Sequence, residues 1–321
     1  MTTTKTSVDG KLNGVSGSGN KGLKTIFSAA SRFLRKKFNC VRDLNDAEFL
    51  SLFDIPEVSY WIDNGFNIKA HAALLEHFRD RVESDWLLPP AQLVDLAFDV
   101  DGATDEQLIE RANLVLDYDL EWSGVPPEID VRGSIDWQKN ILQNQQWLER
   151  INRHSWWPLL GHAYQKTGDE RYARAFATQL SAWMNSHSTA TNLEDYSCIW
   201  SSKQIALRLR VSWIPAFGMF FNSPYFTTTR KLEMLRSIFD QTRFLRQNNA
   251  TDNLLLNGGL VSAGISFPEL HESGKWRKAA IDGCRGVLAP SVSDADSHEF
   301  QCSSNLLAYS DREIAAAACA N

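Results

Sequence analysis

Hydrophobic residues along this chain recur mostly at spacings of three and four, the period of a helix with one buried face. Between Asn67 and Glu83 the residues Ala70, Ala73, Leu74, Phe78 and Val82 fall on one side. Leu108, Ile109, Ala112, Leu114 and Val115 repeat the pattern between Asp105 and Leu116. From Trp147 the pattern becomes regular. It predicts a helix through Leu148–Thr167, a break at Thr167-Gly168-Asp169, and a helix from about Glu170 to Ser186 carrying Tyr172, Ala173, Phe176, Leu180 and Trp183. Gly168 suits a left-handed C-cap and Asp169 the start of the next helix. Two more helices are predicted, from about Ser201 to Phe221 with a stop near Asn222-Ser223-Pro224, and over Thr227–Arg246. Strand-like alternation is scarce. Successive antiparallel helices joined by short polar turns predict an all-α array and not an α/β fold.

Composition narrows the classes of function. The 321 residues carry 33 Lys and Arg against 39 Asp and Glu, a formal net charge of -6, with 43% hydrophobic residues. This is an ordinary globular balance with no basic block to follow a nucleic-acid backbone, so nucleic-acid binding is disfavoured. No stretch approaches the roughly 18–20 consecutive apolar residues of a membrane-spanning helix. The five cysteines, Cys40, Cys198, Cys284, Cys302 and Cys319, show neither zinc-ribbon spacing nor a disulfide framework. Residues 1–22, rich in Gly, Ser, Thr, Lys and Asn, read as a disordered tail without the apolar centre of a secretory signal. A Gly17, Gly19, Gly22 spacing within them has no preceding strand, so it reads as linker and not as a dinucleotide loop. An N-terminal helical region is expected over 23–99. Its first helix places Ile26, Phe27, Ala30, Phe33, Leu34 and Phe38 among Arg32, Arg35, Lys36 and Lys37. Packing on its own domain is the preferred reading of that helix over adsorption to an anionic membrane. The chain contains no GxxxxGK[ST], HExxH or GxSxG motif.

Two features carry chemistry. Eight of the eleven tryptophans lie between Trp122 and Trp213. Indole faces stack on the apolar side of sugar rings, so such a region suits a polysaccharide groove, although most of these tryptophans are expected to be packing residues. The second feature is the cluster Asn152-Arg153-His154 directly before Trp156 and Trp157.

With these features in view, the stretches IDWQKN at 135–140, QWLERINRHSWWPLLGHAYQKTGDERYARAFATQLSAWMNSH at 146–187 and IALRLRVSWIPAFGMFFNSPYFT at 205–227 resemble the helical domain of the heparinase II/III family of polysaccharide lyases. FLRQNNATDNLLLNGGLVSAGISFPEL at 244–270 is similar to that family's next block. The resemblance implies an incomplete α/α toroid of antiparallel helical hairpins over 100–282. It also implies an anionic, uronic-acid-containing polysaccharide as substrate, cleavage by β-elimination, no cofactor, and a periplasmic or secreted location, although no export signal is read here.

Such a reaction needs a group that neutralises the C6 carboxylate while the C5 proton leaves, a base for that proton and an acid for the departing O4. The resemblance assigns the neutralising role near Thr251-Asp252-Asn253, and Asn253 has the right functional group. A helix N-cap is an equal reading of Asn253. His154, Trp156, Trp200 and Arg208 are expected to line the groove, Trp156 and Trp200 by stacking and Arg208 by pairing with anionic sugar groups. Glu269, in the matching Phe267-Pro268-Glu269, is expected to orient a catalytic partner or contact sugar hydroxyls, with a solvated loop carboxylate as the alternative. For proton transfer the family's tyrosine falls near Asn305, which leaves Tyr309 or His298. From Gly283 the helical pattern gives way to Ser, Ala, Asp and Cys, so 283–321 reads as a degenerate tail, with a frameshift beginning between about Ala280 and Val287, and the family's C-terminal β-sandwich is not found. A non-catalytic carbohydrate-binding remnant is the alternative function. A glycosidase ranks below the lyase reading, and a helical scaffold for a protein partner is a third, weaker possibility.

Overall fold

The computed structural model describes residues 44–82, 103–118, 135, 137, 145–186, 199–248 and 253–288. Its helices are α1 (Asp46–Leu50), α2 (Pro56–Asp63), α3 (Asn67–Val82), α4 (Asp105–Leu116), α5 (Gln145–Ile151), α6 (Trp157–Thr167) and α7 (Glu170–Ser186). They are followed by α8 (Ser202–Leu207), a π-helical segment (Arg208–Trp213), α9 (Ile214–Met219), α10 (Thr228–Asn248), α11 (Leu254–Ser266) and α12 (Ser273–Leu288). The architecture is all-α, an incomplete toroid in which α2 and α3, α6 and α7, and α11 and α12 pack as sequential hairpins. The one β-type pairing among the described residues is an isolated antiparallel bridge, Phe53 to Leu270. Residues 1–22, the helix over 23–38, residues 289–321 and with them Tyr309 and His298 lie outside the described residues, whereas 283–288, expected to open the degenerate tail, are the last residues of α12.

Local chemistry sets the boundaries. Asn45 and Glu48 form a reciprocal capping box at the start of α1, and Thr104 and Gln107 do so for α4, each satisfying backbone N–H groups that the first helical turn leaves over. Gly168 closes α6 with φ 68°, donating its N–H to Tyr164 O at 2.8 Å, and Asp169 accepts from Arg171 N at 2.9 Å. Both punctuation marks sit where the sequence puts them.

Two long helices of the sequence reading are subdivided. The one expected over Leu148–Thr167 is broken by a turn at 152–156, because Pro158 lacks an N–H and is accommodated only at the start of a new helix. The one expected over Ser201–Phe221 passes through the π-helical segment. Pro215 cannot donate to the carbonyl of Val211 and its ring crowds that group, so the ladder widens by one residue just before it.

The core is one continuous cluster running from Phe49 to Ala280. Phe78 packs edge-on against Phe53, Phe217 and Phe267 at 6.0, 5.9 and 5.8 Å, and Phe239 meets Phe49 and Phe267 at 5.9 and 5.6 Å. These contacts seat α1 and α3 on α10 and on the residue that follows α11. Gly259 allows α11 to approach α8, since a Cβ there would lie 2.8 Å from the Ala206 Cα.

Lys231, in the first turn of α10, is 8% exposed, with Nζ 4.5 Å from the Phe221 ring centre and 5.7 Å from that of Phe226. Burial, reinforced by the like charge of Arg79, pushes its ammonium down to about 8. The unfolded chain therefore binds more protons than the folded one between about pH 8 and the ordinary lysine value of 10.5, and stability rises with pH across that window. Below it the penalty is fully present. Lys231→Met is expected to remove this rise and to raise Tm at pH 7 by roughly 1–3 °C, as thermal melts between pH 6 and 10.5 will show.

Candidate active site

The cluster read from the sequence as Asn152-Arg153-His154 is the hub of a buried polar network. Asn152 Nδ2 donates to Trp137 O at 3.0 Å and Leu148 O at 2.9 Å, while its Oδ1 accepts from Trp183 Nε1 at 2.9 Å. Arg208, on the π-helical segment, has no exposed surface. Its Nε donates to Gln241 Oε1 at 2.7 Å, and its Nη1 and Nη2 reach the carbonyls of Asn152 and Ile199 at 3.2 Å. The guanidinium also lies 5.1 Å from the Trp183 ring and 5.7 Å from that of Trp200. A planar five-donor group is what such a set of acceptors and π faces requires.

His154 is fully buried in a box of indoles. It stacks on Trp157 at 4.2 Å, meets Trp137, Trp183 and Trp213 at 5.0, 5.4 and 5.9 Å, and accepts from Trp213 Nε1 through Nδ1 at 3.1 Å. Its φ of 58° is a left-handed conformation that a non-glycine residue adopts at a cost, here held by the surrounding rings. Trp156 is 1% exposed, and it and Trp157 donate their indole N–H groups to the same acceptor, Gln179 Oε1, at 2.8 and 2.9 Å. Four residues were expected along a groove, and three of them, His154, Trp156 and Arg208, have at most 1% of their surface exposed. Their side chains are packed within the core, and they bear on a site through the elements they hold. Trp200 is partly exposed, 6.4 Å from Trp183 and 6.3 Å from Phe244.

Beside this core runs a polar set of which the sequence reading singled out only Arg153. Arg153 Nε donates to Gln204 Oε1 at 2.7 Å, Gln204 Nε2 donates to Glu149 Oε2 at 2.7 Å, and Glu149 pairs with Arg153 at 3.5 Å. Arg210, 7% exposed, presses Nη1 against α11, where a Cβ on Gly258 would lie 2.8 Å away. The Gly258-Gly259 pair was the available signal: two adjacent glycines in a helix mark the close approach of another group.

Asn253 stands exposed at the N-cap of α11, where its Oδ1 accepts from Leu256 N at 3.2 Å. That bond occupies the carbonyl side of the amide and leaves the Nδ2 hydrogens for another acceptor, at the positive end of the helix dipole. Asn257, one turn on, is fully buried.

Glu269 lies elsewhere. Its side chain is 8% exposed and accepts from Arg81 Nη1, and its Oε1 lies 2.8 Å from His77 Nε2. Its backbone carbonyl accepts from Asp54 N at 2.7 Å, beside the Phe53–Leu270 bridge. The carboxylate therefore ties α3 to the turn between α11 and α12. Glu269→Gln is expected to lower the unfolding free energy by about 2 kcal/mol through the loss of a charge-assisted pair in a nearly buried setting. Urea unfolding measures it, and unchanged stability would contradict the tie. Among the described residues no group of three or more His, Cys, Asp or Glu side chains is placed to hold a metal ion, and no helix is long and apolar enough to cross a membrane.

Residues 49–292 match the heparinase II/III N-terminus family, and the chain belongs to that family. A heparin-sulfate lyase of Pedobacter heparinus is 25% identical to it over 281 residues, which is 87% of this chain and 41% of that protein. A heparin-sulfate lyase of Bacteroides stercoris is 25% identical over 82% of this chain and 42% of its own length. Among solved structures, heparan sulfate lyase HepC from Pedobacter heparinus superposes with a TM-score of 0.65 at 23% identity, covering 76% of this chain and 39% of that one. The chain thus spans about two fifths of the length of these relatives, and the structural likeness speaks for the fold.

Proposed function

We propose that this chain acts in the cleavage of uronic-acid-containing polysaccharides, of the heparan sulfate or alginate kind, by β-elimination. The observation that carries the reading is the alignment of more than four fifths of the chain with two heparin-sulfate lyases. Asn253 fits the chemistry of the step. Its Nδ2 donates to the C6 carboxylate of the bound uronate, and the N-terminal end of α11 adds favourable potential there. Negative charge then spreads onto the carboxylate as the C5–H bond breaks, the C4=C5 double bond forms and the C4–O4 bond breaks. The C5 proton passes to a base, and O4 of the departing sugar takes up a proton. Tyr309 or His298 is the proposed source of these proton transfers. Trp200, which is partly exposed, stacks on a sugar ring, and the arginine-centred core around Arg208 fixes its position. On this reading residues 100–282 form the toroid proper and 23–99 a helical region that closes against it. The unsaturated uronate has its own ultraviolet absorbance, so its appearance tests the proposal. Saccharide binding without that product would favour a carbohydrate-binding role.

A further inference from the structure

The α2–α3 hairpin ends in an aromatic surface that the chemistry of Asn253 does not use. Tyr60 and Phe66 are 58% and 52% exposed, and Ile68 is 84% exposed. Trp61 stands between the two rings, edge-on to Tyr60 at 5.0 Å and 72° and to Phe66 at 6.0 Å and 83°. The rings therefore present separate facets in place of one flat patch. Lys69 is exposed and lies across them, Nζ 4.2 Å from the Trp61 ring centre and 5.0 Å from that of Phe66. No carboxylate pairs with it among the described residues, so its charge is held in place by π faces alone. Asn64, exposed at the same turn, donates to Tyr60 O at 2.8 Å and keeps its own carbonyl oxygen free to accept.

The direction of α3 places this surface relative to α10. Near its C-terminal end Arg79 acts on Lys231, and eight residues earlier His71 feels Arg236, so α3 runs against the direction of α10. The first turn of α3, with Phe66 and Lys69 beside it, therefore lies further along α10 than Lys231, past the level of Arg236.

We propose that Tyr60, Trp61, Phe66 and Lys69 form an auxiliary binding surface for the sugar rings of an acidic polysaccharide. Ring facets of this size match pyranose faces, and an uncompensated ammonium held among them selects rings that carry carboxylate or sulfate. A neutral glycan finds no partner for Lys69, and an apolar protein or lipid surface would have to desolvate it. The ligand class rests on the lyase reading, but the surface itself does not depend on turnover.

The test is calorimetric titration of the whole chain with a heparan sulfate decasaccharide at low salt, with a maltodextrin of equal length as the uncharged comparison. The double variant Tyr60→Ala, Phe66→Ala is expected to bind about tenfold more weakly, from two lost stacking contacts. Lys69→Gln is expected to weaken binding roughly threefold and to flatten its salt dependence. The substituted side chains are all exposed, so the variants should stay folded, with only a small fall in Tm for the double variant from its lost edge contacts with Trp61. Undiminished affinity in the variants overturns the proposal, as does failure of the unaltered chain to bind the decasaccharide. Self-association or vesicle adsorption that the double variant loses, with saccharide affinity unchanged, also overturns it and assigns the surface to a second copy or a membrane. Binding through this surface without any unsaturated product would leave it standing and refute the lyase reading.

Discussion

Arg208→Ala is expected to lower the unfolding free energy by about 3–5 kcal/mol, the range for opening a large cavity in the core while buried acceptors lose their donor. The substitution deprives Gln241 Oε1 and the carbonyls of Asn152 and Ile199 of their donor in a site without exposed surface. It also opens a cavity between Trp183 and Trp200. Arg208→Lys should recover less than half of the loss, because one ammonium cannot reach three acceptors and lie between two indoles in the same geometry. Urea unfolding followed by tryptophan fluorescence reads both variants. A loss below about 1 kcal/mol for the alanine variant, the ordinary size of a surface change, would mean that the guanidinium does not organise this core.

The second large effect concerns activity. If Asn253 neutralises the substrate carboxylate, Asn253→Ala lowers kcat on a uronan by about a hundredfold to a thousandfold, as the removal of one preorganised donor does. The accompanying loss of stability should be only about 1 kcal/mol, from the missing N-cap. Two further variants separate these roles. Asn253→Ser and Asn253→Asp both keep an oxygen for Leu256 N, so stability returns. Neither offers the amide donor, and the aspartate opposes the uronate with like charge, so activity remains near that of the alanine variant. Recovery of activity by aspartate, which keeps the cap and has no proton to donate, would reduce Asn253 to a cap.

Periodicity made the helices of this fold legible wherever one face is apolar over three or more turns. The helices at 67–82, 105–116, 170–186 and 228–248 follow from spacing alone. The breaks at 152–156 and 208–213 were harder to see, since both arise from a proline whose effect falls on the residues before it, inside an unbroken apolar pattern. For the site, residue type was a weaker guide than neighbourhood. An arginine or histidine in a polysaccharide-binding family reads as a ligand-facing group. Here Arg208 is held by Gln241 and Trp183 and His154 accepts from Trp213, partners that lie distant in sequence and that spacing does not reveal. Glu269 is held by His77 and Arg81 from the other end of the described chain, a pairing set by how α3 docks and by nothing local to Phe267-Pro268-Glu269. Asn253 was read both as a cap and as a neutraliser. The cap is present, and because it engages Oδ1 only, it is compatible with the second role.

The most direct test of the account is the ultraviolet absorbance of unsaturated uronate while the purified chain is incubated with heparan sulfate, chondroitin, hyaluronan and alginate in parallel. The account predicts a rise with at least one of these substrates that Asn253→Ala suppresses about a hundredfold or more. No rise on any of them from protein shown to be folded, or new reducing ends without absorbance, would contradict β-elimination by this chain.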